Sequence, residues 1–458
     1  MGMIAATTNY TNALAAYRSG QILVMVTIAG YTRVFTNYKS GIGGQFDWIA
    51  SLDTLATQIN DLDGGADQST FFFNVTDFNG LLTADFPGFV FEGKQIVIQT
   101  GLPGLAQADF TTVFTGYIDT VANDNGNKEY IFNCSDVSVR LTQVIYLTGD
   151  SGQPTDSNNP KNLLGHPLDI LLDILSVKVG LAAGLIDTTK IQAYRDGPFS
   201  GATFSFRLTQ SVAAADFIKQ QLLKPMGGYM WVNSLGQITV NFFTPLAAPV
   251  AVATLGPAAW TSIPLAEQVD MINTVQIQFD KDDSTSSSSG NYMAQDTEIY
   301  QPSVTKYGQY GEQVIQADGL RSGFQGFFSA RQTARMVFGR YGLKNIKFDQ
   351  NAADSIWNTM LLEPGDIVSV THPNIPDRAA GVVGITNKLF EILDRKFNFT
   401  EGLMTFTMID ASFLSFIGAF KIAPDAQADY ASLADNVYMY LCNNSDQYTN
   451  GDPGHVLG

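Results

Sequence analysis

Cysteine is almost missing from this chain: 458 residues contain only Cys134 and Cys442. Two cysteines so far apart make neither a disulfide framework nor a four-cysteine zinc site. Cys134 lies in an alternating apolar stretch and reads as a buried hydrophobe. Histidine is nearly as scarce, with three. His166 and His372 each precede a proline, His455 falls among the last residues, and none has a ligand-spaced partner, so structural or exposed roles are expected. Charged residues are only 15% and the net charge is −17. No cluster of Lys and Arg stands out, which argues against a protein that grips phosphates. The acidity fits ordinary solubility; a sharper reading is a surface that DNA passes without sticking. No apolar run reaches the ~20 residues of a membrane helix. The short apolar stretch Gln21–Gly30 reads as a first strand rather than a signal peptide.

Catalytic motifs are also lacking. There is no GxSxG elbow, phosphate loop, HExxH or dinucleotide fingerprint. GIGGQ (41–45) is glycine-rich but reads as a flexible turn. Asp61, Asp63 and Asp67 approach a calcium loop, but the spacing departs from the EF-hand and no Glu closes it. Asp280, Asp282 and Asp283 flank a serine run and are read, like the first three, as solvated turn residues. A carboxylate pair for sugar hydrolysis could be drawn from 43 acidic residues almost anywhere, so its presence carries no information. No catalytic residue, metal site or cofactor is expected.

What is there is a weak internal repeat. FEGKQIVIQTGLP (91–103) matches LEPGDIVSVTHPN (362–374), setting Gly93 against Gly365, Ile96 against Val368 and Ile98 against Val370. FTGYID (114–119) matches FEILD (390–394), setting Asp119 against Asp394. The turn NDNG sets Gly126 against Gly402 of FTEG. YIFNCSD (130–136) matches TFTMID (405–410), setting Phe132 against Phe406 and Asp136 against Asp410. These eight positions (Gly93, Asp119, Gly126, Asp136, Gly365, Asp394, Gly402, Asp410) are expected to play shared structural roles such as turns or caps. Two copies of one β unit suggest a subunit built for symmetric assembly rather than for catalysis.

The chain divides accordingly. Residues 1–20 form an N-terminal arm with one short helix. Residues 21–150 are β-like, with strands expected at 21–29, 71–76, 95–100, 110–120 and 129–134; Asn125–Gly126 signals a type I′ hairpin. GDSGQPTDSNNP (149–160) marks a boundary. Residues 151–235 are a helical insertion. One helix is expected over 163–179, with Pro167 in its first turn, and another over 209–224, where Ala214, Phe217, Ile218 and Leu222 share a face. A hairpin spans 229–243. Residues 236–330 form a β-rich connection that includes a strand at 274–280 and a mobile serine-rich loop at 281–291. Residues 331–411 hold the second β unit, whose strands follow from about 345 after a helix over 329–341 that Gly342 stops. Residues 412–458 are a C-terminal extension with a helix near 425–433. The fold class expected is mainly β with an α+β insertion and two similar β-barrels.

The segments LLEPGDIVSVTHPNIP and KLFEILDRKFNFTEGLMTFTMID resemble the second barrel of the tail hub proteins of tailed bacteriophages. FTGYIDTVANDNGNKEYIFNCSD is similar to the matching part of the first barrel, and LKPMGGYMWVNSLGQITVNFF to the insertion between them. YMYLCNNSDQYTNGDPGHVLG resembles the end of siphophage versions. The resemblance covers more than half of the chain. It implies a homotrimeric hub whose two barrels per subunit present a pseudo-sixfold ring to the hexameric tail tube or distal tail protein. The other face would meet a threefold central fibre or spike, with the tape measure protein a further neighbour. The setting would be the virion tail, with DNA passing through and no membrane segment. Some long-tailed phage tips carry a cysteine-ligated iron–sulfur cluster; two cysteines cannot ligate one within a single chain. Three alternatives remain. A tail-associated cell-wall hydrolase would need a compact catalytic domain. A distal tail ring protein would carry one barrel. An outer-membrane barrel would need a signal peptide and many alternating strands.

Overall fold

The computed structural model describes residues 4–411, apart from 17–21, 40–44, 67, 125, 127, 147–160, 248, 261–265, 269–270, 283–290, 309–310, 325, 344, 354–358, 378–380 and 401. The boundary loop at 149–160, GIGGQ except Gln45, Asp67, Asp283, most of the serine loop and the whole extension 412–458, with Cys442 and His455, lie outside the described residues. The fold is mainly β with several helices, organised in two large sheets and a helical insertion.

The eight-stranded sheet has a three-stranded meander at its heart: Gln95–Gly101, Thr111–Asp124 and Glu129–Ser135. Leu23–Ile28 joins one side and Thr70–Thr76 the other. The ten-stranded sheet is built around a second meander, Ile367–Asp377, Val382–Asn398 and Leu403–Asp410. The two meanders share a register. Ile96 pairs with Gly116 as Val368 pairs with Phe390. Cys134 pairs with Ile118 as Met408 pairs with Ile392, and Phe132 pairs with Val121 as Phe406 pairs with Arg395. Each pairing slips after Ile98 and Val370, and again beside Ile118 and Ile392. Bulges at matching places re-aim both strands in the same way.

The turns that enter the meanders also agree. Lys94 N–H donates to Phe91 O (3.1 Å) and Asp366 N–H to Glu363 O (3.1 Å). Gly93 and Gly365 occupy the third turn position at φ 75° and 85°, a conformation that glycine adopts without a Cβ penalty. Each glycine N–H then donates across to the long strand, to Ile118 O and Ile392 O, at 2.7 Å in both cases.

Closed barrels were expected, but among the described strands neither sheet closes. The first ends on Gln45–Phe46 and Ile49–Leu52, which do not pair with each other. In the second, a neighbouring place is taken by a strand from the first half of the chain: Leu55–Asn60 pairs with Val382–Asn398, with Gln58 opposite Asp394. Ile49–Leu52, a few residues earlier, pairs with Thr70–Thr76 of the first sheet. The segment 49–60 therefore stitches the sheets together.

The core follows this stitching. One apolar cluster runs through both meanders. Phe73 stacks on Phe132 (centroids 4.8 Å), Phe91 meets Phe132 edge-on, and Phe71 touches Phe399 across the sheets at 5.9 Å. Burying each of these rings contributes about 1.5–3 kcal/mol. A second cluster lies under the insertion and the helix Gly326–Tyr341.

The insertion departs from expectation in detail. Leu163 and Leu164 belong to a strand, Lys161–Gly165, which pairs with Phe204–Leu208. The helix starts only at Pro167 and loosens into π-helical geometry over Ile174–Lys178. The second helix is one short turn, Ala214–Asp216, followed by a π-helical stretch, Phe217–Leu223. Its apolar face is buried as the spacing predicted. The hairpin Gly228–Val232 and Ile238–Phe242 forms as expected, with Gly236 at φ 75° in its turn. The Asn125–Gly126 hairpin also forms, but not as a two-residue type I′ turn. Asp124 pairs with Glu129, and Lys128, not Gly126, takes positive φ (55°).

Candidate functional site

The most strongly organised polar cluster is buried where the insertion meets the second meander. Five elements contribute. Asp61 follows the stitching strand, in the turn Asp61–Asp63. Arg340 and Tyr341 end the helix Gly326–Tyr341, where a cation also complements the helix dipole. Glu391 comes from the long strand Val382–Asn398. Tyr229 and Asn241 face each other across the insertion hairpin, and Tyr194 comes from the helix Thr188–Asp196.

Arg340 is fully buried between two carboxylates, with Nε 2.8 Å from Asp61 Oδ2 and Nη1 2.9 Å from Glu391 Oε2. Its guanidinium also lies 4.9 Å from the centre of the Phe243 ring. Burial alone would lower its pKa, but Asp61 and Glu391 more than offset that and hold it above the ordinary value. Tyr341 donates to both Asp61 oxygens (2.7 and 2.8 Å). Tyr229 donates to Glu391 Oε1, which also accepts from Asn241 Nδ2 at 3.2 Å. Tyr194 donates to Asn241 Oδ1 at 2.5 Å. Burial, then the adjacent carboxylate, pushes both Tyr229 and Tyr341 well above the usual phenol range, so both remain donors.

Each carboxylate in this cluster is held by a cation and a phenol, and no hydroxyl or thiol stands beside a free base. The arrangement suits mechanical registration of five elements, since buried ion pairs fix geometry more than they add stability. Among the described residues no group of three or more His, Cys, Asp or Glu could hold a metal ion. His166 caps a helix, accepting from Leu168 N–H (3.1 Å), and His372 Nδ1 accepts from Asn374 N–H (3.2 Å).

The repeat positions are placed as follows. By strand pairing Asp136 and Asp410 are equivalent: Ser135 pairs with Tyr117 as Ile409 pairs with Glu391, and each Asp comes next, although only Asp410 is itself still paired, with Phe390. Their bonds differ. Asp136 caps the turn after its strand, accepting from Ser138 N–H (2.8 Å) and Ser69 N–H (2.9 Å), whereas Asp410 pairs with Lys388 (3.0 Å). Asp119 and Asp394 do not superpose. Thr120 pairs with Asn133 as Asp394 pairs with Thr407, so Asp119 occupies the place of Leu393. Asp119 is exposed and accepts from Ser135 Oγ (2.8 Å), while Asp394 is buried with Lys396 3.6 Å away. Gly402 (φ 67°) precedes Leu403 as Lys128 precedes Glu129, so Lys128, not Gly126, is its counterpart.

Sequence reading passed over Arg340 and Glu391 and took Asp61 for a solvated turn residue. One usable signal was a lone acid inside the apolar run LFEIL.

These features define a mainly β protein in which Arg340, Asp61 and Glu391 form a buried polar cluster. No family model and no curated protein matches the chain. Among the solved structures similar to it over most of its length are three tail proteins, two of them from prophages. The 43 kDa tail protein of prophage MuSo2 from Shewanella oneidensis is 10% identical, with a TM-score of 0.46, over 86% of this chain and 99% of that one. A tail protein from Neisseria meningitidis is 12% identical, with a TM-score of 0.46, over 86% and 98%. The prophage tail protein gp18 from Listeria monocytogenes is 9% identical, with a TM-score of 0.45, over 84% and 94%.

Proposed function

We propose that this chain is the structural hub of a phage tail tip or baseplate and has no enzymatic role. In this reading its two β units, about 21–150 and 331–411, are copies of one module separated by the insertion. Three subunits would then present six such units, adapting a hexameric tail tube or distal tail protein to a threefold fibre or spike. The observation that carries the reading is the shared register of the two meanders, with matching bulges and matching entry turns. Independent strand arrangements have no reason to agree in all three. The duplication also favours a hub over a single-barrel distal tail ring. The repeat-equivalent residues Gly93, Gly365, Asp136 and Asp410 would set strand geometry in each copy. The net charge of −17 supports a DNA exit channel that phosphates do not stick to.

Native mass measurement of the purified protein tests this directly. The expected mass is three times 49.7 kDa. A stable monomer or hexamer would overturn the trimeric hub.

A further inference from the structure

The tip of the insertion hairpin is wedged between the two meanders. Ser234 bridges them through its own backbone. Its N–H donates to Glu363 Oε1 (2.7 Å), in the turn entering the second meander, and its C=O accepts from Thr115 Oγ1 (3.1 Å) of the first. There is no slack on either side. A Cβ on Gly236 would stand 2.9 Å from the Thr115 side chain, and one on Gly365 2.9 Å from the Trp231 ring.

Glu363 and Asp366 open and close the same four-residue turn, and Asp366 Oδ2 accepts from Glu363 N–H (2.9 Å). Asp366 is almost wholly buried. The charged groups around it come from each neighbouring element. The helix Thr188–Asp196 brings Lys190, whose ammonium lies 4.6 Å from the centre of the Trp231 ring, and its capping residue Asp187. The long strand brings Arg395, which feels both Glu363 and Asp366, and Glu391, which shares Lys190 with Asp187, Glu363 and Asp366. Arg340 is already committed to Asp61 and Glu391. Carboxyls therefore outnumber cations at this junction. Burial first, and the Glu363 charge beside it, push the Asp366 carboxyl up to about 7, against the Glu363 N–H and Lys190, which lower it.

We propose that the insertion hairpin is a protonation-controlled latch, its tip tying the two meanders together while Asp366 is neutral and loosening when Asp366 and Glu363 both carry charge. The sign follows from linkage. The closed state holds a proton that an opened, hydrated Asp366 gives up, so the tie is firm in mild acid and weakens as pH rises through about 7. Because this is a property of one chain, it can fail while the trimer stands, and the reverse.

Hydrogen exchange of the intact protein at pH 6 and pH 8.5, corrected for intrinsic rates, tests the latch. Opening of the hairpin amides should rise about tenfold at the higher pH, as expected for one proton with a folded pKa near 7. In Asp366→Asn the rise should vanish, with protection held at the acid level. If that variant does not fold, Glu363→Gln keeps the acceptor for Ser234 and should move the rise to lower pH. A wild-type hairpin insensitive to pH, or variants that keep the wild-type profile, would overturn the proposal.

Discussion

Replacing Arg340 with Met should be among the most damaging single changes to this fold. The side chain is fully buried and lies within ion-pair distance of Asp61 and Glu391. Methionine can fill much of the volume but leaves two buried carboxylates without their cation. Breaking a buried pair from one side costs about 3–5 kcal/mol. For a cooperative unit of roughly 200 residues that corresponds to a drop in melting temperature on the order of 10 °C. Thermal unfolding followed by circular dichroism would measure it. A triple variant, Arg340→Met with Asp61→Asn and Glu391→Gln, removes all three charges while keeping oxygens for Tyr341 and Tyr229. It should recover most of the stability, since the charges fix geometry more than they stabilise. A loss below about 1 kcal/mol in the single variant, or a triple variant no better than the single, would refute the account of Arg340 as the pin of this junction.

Two further predictions use the register and the core. Gly93→Ala should cost about 1 kcal/mol, the strain of a left-handed residue in open space. Gly365→Ala should cost clearly more, because the same strain is joined by a clash with Trp231; denaturant midpoints of the two variants give the comparison. Cys134 is buried and burial raises its thiol well above the usual range. In a Cys442→Ser background a thiol reagent should therefore label it only on unfolding, which absorbance of the released product would show.

Much of the β framework was legible from sequence because it depends on short-range patterns. Alternation marked the strands around Phe71, Ile96 and Phe132, and a glycine before each entry strand marked the turns at Gly93 and Gly365. The helix ending at Tyr341 was legible because Ala334, Val337, Phe338 and Tyr341 recur at helical spacing. Less legible was anything that depends on a single skipped residue. Matching bulges beside Ile118 and Ile392 keep the two strands in step, so Asp119 takes the place of Leu393, one position from Asp394, and no propensity signals which residue a bulge leaves unpaired. The strands Ile49–Leu52 and Leu55–Asn60 were also missed, since what makes each a strand is its partner in a different sheet.

By itself, the sequence determined that this protein is rich in strands, is poor in cysteine and histidine, and spaces glycine and apolar residues alike in 91–103 and 362–374. Those properties reside in composition and local spacing. Tertiary structure alone decided that the two meanders share one apolar core, that residues 49–60 cross between sheets, and that Asp61, Arg340 and Glu391 meet. Side chains separated by hundreds of positions become neighbours only when the sheets pack. Whether a given Asp is a solvated turn residue or half of a buried ion pair is settled by that packing, because burial, not residue type, sets the cost of its charge.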